Sequence, residues 1–98
     1  MTAALAAATI WGAITGFLGT RAWQPQHVCY DRNYGDRFAL VRFTRRGRPH
    51  VAALHLYSKK TGWVVMWLDG RVNPKIDLGN RGFVLGEVTR LKARCLAP

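Results

Sequence analysis

The sequence predicts an α+β chain: a single N-terminal transmembrane helix, then a small antiparallel β-meander domain that has room for a short closing helix. Three observations predict it. The first twenty residues carry no charged side chain, whereas all 15 Lys and Arg and all 5 acidic residues lie from Arg21 onward. From Arg37 to Leu68, runs of β-branched and aromatic residues alternate with polar, Gly-containing turns, the pattern of hairpin-linked strands. Near the end, Val88, Leu91 and Cys95 fall at i, i+3 and i+7, a helical spacing. The chain accordingly divides into a membrane helix over 1–23, a connecting loop over 24–36 and a basic β-rich domain over 37–98.

As a helix, Thr2 to Gly19 would cover roughly 27 Å, close to the hydrocarbon thickness of a bilayer. Ala4, Ala8, Gly12 and Gly16 recur at every fourth position and form a narrow face of small residues. Such a face lets a neighbouring helix approach closely. Arg21 and Trp23 follow where interfacial anchors belong. A cleaved signal peptide fits less well, because no basic residue precedes the apolar run and Thr20-Arg21-Ala22 is a poor cleavage site. A transit peptide would need early arginines. An Ala-rich helix buried in a water-facing core is the remaining competitor. With the basic body inside, the amino terminus is expected outside and the domain on the cytoplasmic or matrix side, as in a mitochondrial inner membrane. In such a compartment Cys29 and Cys95 are expected as free thiols. In the export alternative they are bonded to each other.

After the anchor, Pro25 breaks the helix, and HVCYDRNYGD (27–36) reads as the connecting loop. RFALVRFT (37–44), HVAALHLYS (50–58) and WVVMWL (63–68) read as three strands, the last buried on both faces. Arg45 to Pro49, Lys59 to Gly62 and Asp69-Gly70 supply the turns, Asp-Gly being the strongest hairpin signal. KIDL (75–78) and FVLGEV (83–88) are expected as further short strands, with a helix over Glu87 to Leu96. About seventy residues make a small core, which favours a subunit that leans on a partner.

The chemistry of catalysis is sparse. Ser58 has no nucleophile-elbow setting, the acids are scattered among turns, and His50 and His55 are five apart and so belong to opposite faces of a strand. His27 and Cys29 lack a second ligand pair at zinc spacing. No enzyme activity, metal, cofactor or small-molecule substrate is therefore expected. The net charge of +10 is the sharper signal. Arg45, Arg46 and Arg48 share one turn, Lys59 and Lys60 the next, and Arg21, Arg32 and Arg37 lie near the expected membrane exit. These residues are candidates for contact with anionic lipid headgroups, cardiolipin among them, or with acidic partners. Nucleic acid is the rival partner, because the charge is interleaved with Tyr57, Trp63 and Trp67 in the manner of single-strand binders.

An uncharged span, a short exit loop and a small basic domain make a layout similar to single-pass accessory subunits of respiratory-chain and ATP-synthase assemblies. That resemblance implies a non-catalytic subunit of a multi-subunit membrane complex, packed on neighbouring membrane-protein subunits. It rests on layout, with no matched motif, and assigns no residue a role.

Overall fold

In the computed structural model, which describes residues 8–96, the order is α1 (Ile10–Leu18), β1 (Gln24–Tyr30), β2 (Phe38–Arg45), β3 (Arg48–Ser58), β4 (Gly62–Leu68), β5 (Arg71–Val72) and α2 (Arg81–Cys95). Short 3₁₀ turns at Arg32–Tyr34 and Leu78–Asn80 join the pieces. The strands form one antiparallel sheet in sequence order, β1-β2-β3-β4-β5.

The sheet is apolar on both faces. In β2, Phe38, Ala39, Leu40 and Val41 are all buried, and successive side chains on a strand point to opposite faces. Phe38 and Leu40 pack with Ala53, Met66 and the α2 residues Val84, Val88 and Leu91. Ala39, Val41 and Phe43 pack with Ala52, Leu54, Val65 and the α1 residues Ile10 and Ile14. Each helix covers one face, and the sheet lies between them.

This arrangement overturns the expected transmembrane helix. The Thr9 hydroxyl caps α1 by accepting from Gly12 N at 2.9 Å, and Gly19 ends it in the left-handed conformation (φ 72°), donating to Thr15 O. The nine residues between them span about 14 Å, half a bilayer. Among the described residues no helix is long and apolar enough to cross a membrane. The single-pass topology and the integral-membrane location built on that helix fall with it. Physically, Ile10 and Ile14 find an apolar sheet face of their own chain, where burial is worth roughly 1.5–3 kcal/mol per side chain. Trp23 is likewise no interfacial anchor: it packs 5.2 Å from Trp11 and 5.5 Å from Phe43, with its indole N–H buried.

Two further readings change. Residues 24–30, expected in the connecting loop, form β1 along the edge of β2, with a register shift at Pro25/His27. Residues 83–88, expected as a strand, belong to α2, because Val84 extends the buried row of Val88 and Leu91 by one turn. The hairpin turns are found where the Gly signals lie. Arg45 pairs with Arg48 across Arg46-Gly47, and Leu68 with Arg71 across Asp69-Gly70. Arg46 (φ 55°) and Asp69 (φ 45°) occupy left-handed backbone, which costs a residue with a Cβ roughly 1–2 kcal/mol. Asp69 recovers this through its carboxylate, which accepts from Val51 N at 2.8 Å and meets His50 Nδ1 at 2.5 Å.

The end of β1 is tied to α2 three times. Cys29 and Cys95 are disulfide-bonded across a separation of 66 residues, which corrects the expectation of free thiols. Asp31, fully buried, pairs with Arg90 and lies 3.8 Å from Arg94. Arg94 also donates to Tyr30 O at 3.2 Å.

Candidate functional site

Four elements converge beside the first turn of α2. The Asp31 carboxylate accepts from Asn33 N at 3.0 Å and caps the 3₁₀ turn, and Gly35 and Asp36 follow with positive φ. That reversal lays Tyr34 back against Phe38 (6.4 Å), His55 (5.6 Å) and Phe83 (5.5 Å). His55 and Tyr57, two apart on β3, share the α2 face and stand 5.1 Å apart. On the other side Asp77 caps the Leu78–Asn80 turn through Gly79 N at 3.1 Å. Buried Asn73 pins that segment to β4 by donating to Val65 O at 2.8 Å.

The result is a cleft of about 540 Å³ lined by Tyr34, His55, Tyr57, Met66, Asn80 and Phe83. Its volume is in the range of small-ligand sites. Tyr34 (38%), Phe83 (41%) and Tyr57 (47%) keep large exposed areas although they cluster. Grouped, exposed rings of this kind mark interaction sites. A second cleft of about 440 Å³, lined by Tyr34, Arg37 and His55, shares Tyr34 and His55 with the first. Arg37 is held there by Leu56 O at 3.3 Å and Tyr57 O at 3.0 Å. Two of its five guanidinium donors would suffice for those bonds, and the rest are free for an anion. Burial, and secondarily the Arg37 charge, hold the His55 imidazole below its ordinary pKa of 6.5, so the ring is neutral at pH 7.

The cationic residues singled out in the sequence divide between the two ends of the sheet. Arg32 and Arg37 flank the β1–β2 connection, and Lys59 and Lys60 lie in the β3–β4 turn at the same end of the sheet. Arg45, Arg46 and Arg48 lie at the opposite end, and Arg21 joins them there, lining a cleft with Arg46. Arg21 is thus separated from Arg32 and Arg37, with which the membrane-exit reading grouped it. Of the small-residue face, Gly12 and Gly16 point outward from the sheet, Ala8 bridges to Gly62, and Ala4 lies outside the described residues. Of the three aromatic residues named beside the charge, Trp67 is buried beneath Lys92 and Trp63 packs in the α1 core, leaving Tyr57 on the cleft. Tyr34, Asn80 and Phe83 belong to no motif, and His55 enters the sequence reading only as lying on the strand face opposite His50. The sequence signal for the cleft is an excess of rings in segments otherwise read as loop or strand, and Asn80 has none. Among the described residues no group of three metal-ligating side chains occurs.

No known family, curated protein or solved structure matches this chain.

Proposed function

We propose that the protein is a non-catalytic module that binds single-stranded nucleic acid at the aromatic cleft. The observation that carries this reading is the grouping of half-exposed Tyr34, Tyr57 and Phe83 around one opening, with Arg37 fixed in a neighbouring cleft that shares Tyr34 and His55 with it. Rings offer faces on which an unstacked base can stack, each worth about 1–3 kcal/mol. Arg37, Arg32, Lys59 and Lys60 at the same end supply charge for the phosphates. The neutral imidazole of His55 and the amide of Asn80 present hydrogen-bonding groups to a base edge without adding charge.

Anisotropy titration of a labelled ten-nucleotide oligo-dT or oligo-U tests the reading. Binding is expected at about 50 mM salt and should weaken steeply by 200 mM, as counterion release requires. Tyr57→Leu and Phe83→Leu should each weaken it at least fivefold, the lower limit of a lost stack. An oligonucleotide that does not bind at low salt, or that binds both variants as well as wild type, would end the proposal.

A further inference from the structure

We infer a second, separate anion site at the opposite end of the sheet: a phosphate-binding cleft formed by Arg45, Arg46, Arg48 and His50. These four residues line an opening of about 580 Å³. Arg45 and Arg48 are cross-strand partners, and His50, two residues on from Arg48, lies on the same face of β3. His50 is fixed from two sides. Its ring stacks on Phe43 at 5.3 Å, and its Nδ1 meets the Asp69 carboxylate at 2.5 Å. Nε2 is the ring nitrogen left for the opening.

Among the described residues these arginines have no carboxylate partner, a property they share with Arg21, Arg32, Arg37, Arg42, Arg71 and Arg81; what sets them apart is that three of them line one opening. Among the described residues every Arg–carboxylate pair is made by Arg90 or Arg94 of α2, with Asp31 or Glu87. Asp69, the acid nearest the hairpin, is occupied by His50 and Val51 N and does not line the cleft. Three guanidinium groups in a lining that holds no carboxylate suit an anion, and their planar forks match the oxygens of a phosphate.

The backbone sets the position of the hairpin tip. Arg46 stands at φ 55° and Gly47 at φ 74°, the paired left-handed conformation of a tight hairpin. Asn-Gly is the usual occupant of such a turn, and an arginine there is disfavoured by its Cβ. Asp69 and Gly70 take the same pair of conformations at the β4–β5 hairpin of the sheet, so the turn fixes where Arg46 sits. Arg46 borders two openings, the one above and a neighbouring cleft of about 350 Å³ that includes Arg21. The hairpin tip therefore presents its guanidinium between them. The ligand class is a phosphate group, either free or within a nucleic-acid backbone.

The test uses the full chain and two probes. Inorganic phosphate, added with chloride matched for ionic strength as control, should shift the Arg46, Gly47 and Arg48 amides and the His50 ring saturably in NMR spectra. Arg46→Asn should weaken phosphate at least fivefold while melting no lower than wild type, because Asn tolerates the left-handed turn. That pairing separates lost binding from lost folding. A twelve-base-pair DNA duplex, whose bases stay stacked, then identifies the source. If Arg45→Gln/Arg48→Gln abolishes duplex binding and Tyr57→Leu leaves it intact, the site takes backbone phosphate. If phosphate binds and duplex does not, the site takes a free phosphate group. Phosphate shifts no larger than those of chloride, or an affinity unchanged in Arg46→Asn and in Arg45→Gln/Arg48→Gln, would overturn the site. Because Tyr57 and Phe83 lie at the other end, neither result depends on the fate of the aromatic cleft.

Discussion

The carboxylate of Asp31, with no solvent exposure, is met by the guanidinium of Arg90 from α2, whose own side chain is 37% exposed and also contacts Glu87 at 2.9 Å. The two partners are not equivalent. Arg90→Met strands a buried carboxylate with only Arg94 at 3.8 Å to replace the lost charge, and should cost about 3–5 kcal/mol in urea denaturation. Asp31→Asn keeps an oxygen to cap Asn33 and leaves Arg90 with Glu87 and water. It should cost about 1–3 kcal/mol. Equal losses would mean that the pair does not anchor α2 as described.

The disulfide reinforces the same junction. Closing a loop with a sequence separation of 66 removes unfolded-chain entropy worth up to about 4 kcal/mol in the simplest model. Denaturation with and without reductant should differ by about 2–4 kcal/mol. Intact mass under non-reducing conditions should be two hydrogens lighter than after reduction. Two free thiols in the native protein would contradict the bond.

Ile14, 2% exposed, carries the interaction of α1 with the sheet. Ile14→Ala should cost about 2–5 kcal/mol by chemical denaturation. A helix that merely tethered the domain would leave its stability unchanged, so the variant separates the two roles of this segment.

His55 makes stability depend on pH. Its folded pKa lies below 6.5 because burial, and then Arg37, oppose the charged ring. The unfolded chain takes up that proton more readily, so the contribution is present above about pH 6.5 and is lost as pH falls through and below it. Glu87, raised by burial, acts in the opposite sense at more acidic pH. It is common to wild type and to His55→Gln. The stability difference between those two proteins should therefore narrow from pH 7 to pH 5. A constant difference would show that His55 is not the titrating group.

Much of the sheet was legible. The Asp-Gly and Arg-Gly turns, the apolar alternation of the strands and the opposite facing of His50 and His55 all follow from local residue chemistry. WVVMWL also reads as a strand covered on both faces. A strand of that kind needs two covering layers, and assigning α1 to a membrane left only one. Thr9 and Gly19, a helix cap and a helix stop inside the apolar run, were the residues that limited α1 to nine. Strand β1 was masked by Pro25 and its polar neighbours, which edge strands tolerate. Gly82 and Gly86 obscured α2 by lowering its helix propensity. The aromatic cleft was least visible, because Tyr34, His55, Tyr57 and Phe83 come from three elements and meet only after folding.

Side-chain NMR of the full chain with a saturating single-stranded ten-nucleotide probe tests the functional account most directly. The largest shifts are expected on the rings of Tyr34, His55, Tyr57 and Phe83, with the Arg37 guanidinium following at the same ligand concentration. Rings that do not move while the oligonucleotide is bound would place binding elsewhere and contradict the account.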